Sequence, residues 1–298
     1  MGTTAHVTVT APEPHRAAAL VDDALARLHA LHDRWSRFEP GSEVSRLNAA
    51  GAAEIPVSRE TLILLDRMVT AWELTHGAFD PTVLPAMVAA GYDRDFAAIG
   101  PGRAAATAAA ATGRGGAGIA VDWDRGWARL PPGVAVDPGG IGKGLAADLV
   151  TAPLMAAGAT GVCVNVGGDA RVVGRAPGGD GWRIAIDHPI DGHPPVATLR
   201  LTEGAVASSW RTRRAWGPDD DRRHHLVDPA TGRPAWTGLA GVTVVAATGW
   251  WAEALAKAAF LAGPDGGAAV VAEHRVAGFL VRDDGAWRAV GDIGRFVA

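Results

Sequence analysis

The sequence predicts an α+β fold of mostly antiparallel sheets with packed helices. Apolar residues recur at helical spacing in two long stretches before residue 80. Short strand-like segments dominate from Val121 onward, and the last two close around the turn Asp283-Asp284-Gly285. Taken in order, residues 7–10 alternate as a strand. Pro14 then opens a helix in which Val21, Leu25, Leu28, Leu31 and Trp35 share a face. After the turn Pro40-Gly41-Ser42, Ser58 is placed to cap a second amphipathic helix carrying Leu62, Leu65, Val69 and Trp72, with Gly77 as its stop. Between residues 97 and 118 the chain is almost all Ala and Gly with scattered Arg, which reads either as a helix over 104–111 or as a loose connection. Val134-Ala135-Val136 reads as a strand running into a glycine turn, followed by a helix over about 144–157 that Pro153 is expected to bend. Further strands are expected at 162–166, 182–186, 197–201, 242–246, 276–281 and 287–290. A last helix over about 251–261 is expected to end at Gly263-Pro264.

Composition excludes several classes of function. With 298 residues, 48% hydrophobic and 20% charged, the chain has room for one large core or two modest ones. Its net charge of -4 and scattered arginines offer no basic field for nucleic acid. The single cysteine, Cys163, rules out an intrachain disulfide or a multi-thiolate metal site, and its apolar surroundings read as core. No apolar run approaches the ~20 residues of a membrane span. The start lacks the basic and apolar regions of a signal peptide, so a cytoplasmic location is expected.

The segment Asp137-Pro138-Gly139-Gly140-Ile141-Gly142-Lys143 is the first candidate for chemistry. A strand, a glycine-rich turn and a helix start together present N–H groups at a positive helix end, which suits a phosphate, and Lys143 would add a full charge. The same glycines also suit a tight turn with no ligand. A Walker A loop needs Gly five residues before the Gly-Lys pair and Ser or Thr after the Lys, where this chain has Asp137 and Gly144. The G-x-G-x-x-G dinucleotide pattern is absent as well.

Six separated blocks then carry a resemblance, in order, along nearly the whole chain. They are Met1-Gly2-Thr3, Ser42-Glu43-Val44-Ser45-Arg46-Leu47-Asn48, Gly77-Ala78-Phe79-Asp80-Pro81-Thr82-Val83, the glycine turn extended through Gly144-Leu145-Ala146-Ala147-Asp148, Asn165-Val166-Gly167-Gly168-Asp169, and His225-Leu226-Val227-Asp228-Pro229-Ala230-Thr231-Gly232-Arg233-Pro234. Together they resemble the ApbE family of FAD:protein FMN transferases. The resemblance implies one ApbE-like catalytic unit over 1–298, built from two intimately associated subdomains. It implies transfer of FMN from FAD to a Ser or Thr hydroxyl of an acceptor protein, with release of AMP. FAD is then the substrate. The positions carried over as binding it are Met1, Asp80, Asp137, Gly139, Gly140, Lys143, Asp169, Ser208, Leu226 and Asp228. His225 is chemically suited to take the proton of the attacking hydroxyl. Local readings stand beside these: Asp137 and Asp169 as turn caps, His224 and His225 as a surface pair.

Two departures from the family pattern matter. Where the family has S-G-D-Y, this chain has Ser208-Ser209-Trp210-Arg211. Where it has D-A-x-x-T, this chain has Glu253-Ala254-Leu255-Ala256-Lys257. The family's Asp and Thr help bind Mg2+ together with a backbone carbonyl of the glycine turn, here Gly140. Glu253 still offers oxygen, but protonated Lys257 cannot coordinate a metal. Either the two form an ordinary i,i+4 salt bridge, or the Lys257 ammonium stands in for the cation and acts on the pyrophosphate. The departures also motivate an alternative, an FAD-binding protein or FAD pyrophosphatase without transfer to protein.

Overall fold

The alternation at residues 7–10 becomes the strand Ala5–Thr10, one edge of a seven-stranded sheet. The structure is a computed structural model that describes residues 2–100, 115–218 and 221–298. Its helices are α1 (Pro14–Trp35), α2 (Glu43–Ala49), α3 (Arg59–Leu74), α4 (Leu84–Ala89), α5 (Gly142–Ala156), α6 (Gly249–Leu261) and α7 (Gly263–Glu273). The described residues divide into two units. One, the sheet unit, comprises Thr3–Ala30, Lys143–Trp210 and Thr237–Ala298. The other, the helical unit, comprises the described part of Met1–Gly2, Leu31–Gly142 and Arg211–Trp236.

In the sheet unit the strands lie in the order Ala5–Thr10, Gly161–Val166, Asp169–Gly174, Glu203–Trp210, Leu239–Ala246, Ala277–Arg282 and Trp287–Val290, all antiparallel. Leu239–Ala246 is buried along its whole length, as a central strand covered on both faces should be. Helix α6 packs on it and on Glu203–Trp210. Val172, Leu199, Leu201, Val206, Val245 and Phe279 form much of a core that the hairpin Trp182–Ile186 with Ala197–Leu201 shares. Cys163 packs against this core, and burial pushes its thiol up to about 11, so it is a small hydrophobe and no nucleophile at neutral pH.

The helical unit holds α2, α3 and α4 with a three-stranded sheet ordered Ile55–Pro56, Trp127–Arg129, Ala120–Asp122. Ser58 caps α3 as its position in the sequence predicts, accepting from the Thr61 N–H. Trp35, Leu47, Leu64, Leu65 and Met68 are buried to within 1% of full exclusion. Beside them Tyr92 packs against Phe38, Phe96 and Trp216.

One expectation is overturned and two are refined. Val134-Ala135-Val136 forms no strand. Instead the Asn48 side-chain amide takes both backbone groups of Val136, donating to its carbonyl at 3.0 Å and accepting from its N–H at 2.8 Å. The helix begins at Gly142, two residues before the expected start. Gly263-Pro264 ends α6 but also opens α7, because a proline in the first helical turn needs no N–H partner. The helix considered over 104–111 lies outside the described residues, as does Met1.

Candidate functional site

Two helix starts cross in the sheet unit, and glycine lets them do so. A Cβ on Gly144 would lie 2.2 Å from the Gly249 carbonyl oxygen, and one on Gly249 would lie 2.5 Å from that of Gly144. The backbones therefore meet where any side chain would hold them apart. Each helix then caps the other from the fourth residue after its contact glycine. Glu253 of α6 accepts the Gly144 N–H at 2.9 Å. Asp148 of α5 accepts the N–H groups of Gly249 and Trp250 at 2.8 and 3.0 Å. Arg171 lies 3.3 Å from Asp148 and balances its charge.

This crossing gathers four buried charges. Glu253 Oε1 receives the Lys143 ammonium and lies 3.2 Å from Lys257 Nζ. Lys143 also meets Asp169 Oδ2 at 2.9 Å, and Asp169 Oδ1 accepts the Ser208 N–H at 3.1 Å. The Ser208 hydroxyl is 2.8 Å from that of Thr243. Burial alone would raise Glu253, but the ammonium groups of Lys143 and Lys257 outweigh it and hold its pKa at about 2. Burial lifts Asp169 above its ordinary range against the pull of Lys143. Burial works against the charge of Lys143 too, yet Asp169 and Glu253 outweigh it and raise the pKa. For Lys257 burial prevails over Glu253, and the pKa falls.

In the helical unit, Asp137 caps the short turn Pro138–Gly140. Its Oδ1 accepts the Gly139 N–H at 2.7 Å, and its Oδ2 lies 3.4 Å from Arg37 Nε. The Arg37 guanidinium is buried, 4.2 and 4.5 Å from the ring centres of Phe38 and Tyr92. The Asp137 N–H is donated to the Pro81 carbonyl, so the Asp80 block and the glycine turn are stitched together. Asp80 itself accepts from the Thr82 N–H and hydroxyl at 2.8 and 2.6 Å, and burial raises its pKa despite them. The turn offers fewer bare N–H groups than its glycines suggest, because those of Gly139 and Ile141 are used within it. Gly140 is half-buried.

His225 is half-buried and donates its backbone N–H to the Arg214 carbonyl at 3.2 Å. The preceding His224 is fully buried, accepts the Leu226 N–H through Nδ1 at 3.3 Å, and meets Trp236 edge to face. Leu226 is buried and accepts the Ala235 N–H. Both oxygens of Asp228 work inside their own turn, accepting from the Ala230 N–H and the Thr231 hydroxyl.

A divalent ion at Glu253 does not fit these residues. Oε1 faces two ammonium groups and Oε2 takes the Gly144 N–H. The residue one helical turn on is a cation instead of a ligand. Among the described residues, no group of three or more His, Cys, Asp or Glu side chains is placed to hold a metal. Gly140 belongs to the helical unit and Glu253 to the sheet unit.

Comparison with known proteins gives this arrangement its family. The ApbE family profile matches residues 1–280. The chain belongs to the ApbE family. It is 30% identical over 292 residues to the FAD:protein FMN transferase of Klebsiella pneumoniae, covering 96% of this chain and 83% of that one. The Vibrio cholerae FAD:protein FMN transferase is 29% identical over 273 residues, covering 87% and 78%. Among solved structures, the ApbE protein of Thermotoga maritima superposes with a TM-score of 0.88 at 27% identity, over 100% of this chain and 96% of that one. The Pseudomonas stutzeri flavinyl transferase ApbE gives 0.81 at 26% identity, over 97% and 92%. The ApbE fold is thus the α+β architecture described above.

Sequence reasoning passed over Asn48, Arg37, Asp148 and Gly249 as site-building residues. Asn48 and Asp148 lie at the ends of two quoted blocks, and Gly249 precedes Glu253 at the spacing of Gly144 and Asp148, whereas Arg37 lies in none of the blocks.

Proposed function

We propose that this ApbE chain transfers FMN from FAD to a Ser or Thr hydroxyl of an acceptor protein. The acceptor oxygen bonds to the flavin-side phosphorus, the pyrophosphate P–O bond breaks, and AMP leaves. His225 takes the hydroxyl proton, and Lys143 supplies positive charge to the phosphates. Asp80, Asp137, Gly139, Gly140, Asp169, Ser208, Leu226, Asp228 and Met1 belong to the same reading as FAD-holding positions. The observation that carries it is Lys143 at the first turn of α5, directly after a glycine turn and held by the buried carboxylates of Asp169 and Glu253. Relatives matched over most of their length and named as FAD:protein FMN transferases support it. No step is assigned to magnesium.

Lys257 and Trp210, which depart from the family pattern, favour a second reading, FAD hydrolysis without transfer. One assay separates the two. The protein is incubated with FAD and an acceptor carrying a flavinylation Ser or Thr, and AMP and acceptor mass are followed. AMP with acceptor heavier by one FMN supports transfer, and AMP with unmodified acceptor supports hydrolysis. Tight FAD binding with no AMP overturns both.

A further inference from the structure

We propose that Lys257 is a built-in cation. Its ammonium brings to Glu253 the positive charge that a divalent ion would otherwise bring, so FAD pyrophosphate is bound without a metal at this position. The inference rests on the FAD reading above and goes beyond it in naming the source of charge.

Three observations carry it. The first is saturation: Glu253, fully excluded from solvent, has one oxygen facing Lys143 and Lys257 and the other on the Gly144 N–H. A divalent ion would have to evict these donors, leaving the Lys257 ammonium without its carboxylate and Lys143 with Asp169 alone. The second is charge balance. The cluster contains two ammonium groups, Lys143 and Lys257, and two carboxylates, Asp169 and Glu253. Before FAD binds, a divalent ion would add two positive charges to this balanced set in a place that water barely reaches. Without Lys257, Lys143 alone would face both carboxylates. The third is placement. Lys257 follows Glu253 by one helical turn, and its side chain is only 14% exposed. An i,i+4 pair on a solvated face would serve as a surface salt bridge, but lysine is rarely buried for stability alone. A cation fixed beside Lys143 suits a dianionic pyrophosphate.

The test begins with the wild-type protein stripped with EDTA. Mn2+ is titrated and followed by electron paramagnetic resonance. FAD binding is followed by flavin fluorescence with EDTA or with Mg2+. The expected result is no stoichiometric Mn2+ and the same FAD affinity in both buffers. Lys257→Met should weaken FAD binding about tenfold or more, and Lys257→Arg should restore it to within about threefold, since a charge-assisted contact is lost and regained. Rescue by arginine separates charge from packing. One Mn2+ held per wild-type chain would overturn the proposal, whether or not Lys257→Met folds. So would FAD affinity that collapses in EDTA, or a folded Lys257→Met with wild-type affinity. Absence of FAD binding in either buffer would overturn the FAD reading itself, and this proposal with it, whereas Mn2+ bound beside normal FAD binding removes only the built-in cation.

Discussion

Gly144, the third residue of α5, and Gly249, the first of α6, lie so close to each other's carbonyls that a methyl group on either would collide. That contact places Glu253 on the Gly144 N–H and Asp148 on the N–H groups of Gly249 and Trp250. The charge cluster is therefore a product of backbone approach. Gly144→Ala must push the helices apart, because the obstructing atoms are backbone and cannot rotate away. The expected cost is about 1–3 kcal/mol from overpacking. Urea unfolding measures it, and an unchanged midpoint would show that the crossing is not tight.

Glu253→Gln keeps the shape of the side chain and removes its charge, leaving Lys143 and Lys257 with Asp169 alone. Breaking a buried ion cluster in this way should cost about 3–5 kcal/mol at neutral pH. The pH dependence has a definite sign. Glu253 has a folded pKa depressed to about 2 from 4.5, so its contribution is complete above pH 4.5 and is lost as pH falls toward 2. The stability gap between wild type and variant should hold steady from pH 8 to about 5 and narrow below that. A gap that stays constant into strong acid would contradict the assignment.

His224 adds a second, separate acid sensitivity. Burial first, then the nearby Arg211 charge, lowers its pKa to about 4 from 6.5. The unfolded chain takes up the proton first as pH falls, so the contribution of the neutral imidazole is full above pH 6.5 and is lost through pH 4. His224→Gln should flatten stability between those two values. Denaturant midpoints measured across that range decide it, and equal slopes in both proteins would rule His224 out as the cause.

The helices and strands were legible because burial writes period into sequence: the face of Leu28, Leu31 and Trp35, and the run at 242–246, apolar but for Thr243, that forms the end of Leu239–Ala246. Val134-Ala135-Val136 looked like a strand for the same reason, yet its backbone partner is a side chain 88 residues away, which no local pattern can encode. The site divided along similar lines. Lys143 stood out at the end of the glycine turn, and Asp169 and Glu253 through the blocks compared with the ApbE family. Their mutual contacts depend on the helix crossing, and Arg37 meets Asp137 across 100 residues of chain. Asp228, which the resemblance implies as an FAD-binding position, has both oxygens accepting within a local turn, a role that Asp often takes with Thr and Gly following.

The last prediction concerns His225, whose proposed task is to accept the proton of the attacking hydroxyl. Its neighbour His224 is buried and has its proton affinity lowered, so of the pair it is the less suited to charge during a reaction. His225→Ala should therefore slow FMN transfer by about 10²–10⁴-fold, the range expected when general-base assistance is removed. FAD binding should change far less, because the pyrophosphate charge is assigned to Lys143. Wild-type and variant proteins are compared for FAD affinity by fluorescence and for transfer rate by acceptor mass, with pH varied from 6 to 10. A general-base role predicts that the variant recovers part of its rate at high pH, where hydroxide can replace the imidazole. Transfer at the wild-type rate, or a loss explained wholly by weaker FAD binding, would remove His225 from the reaction.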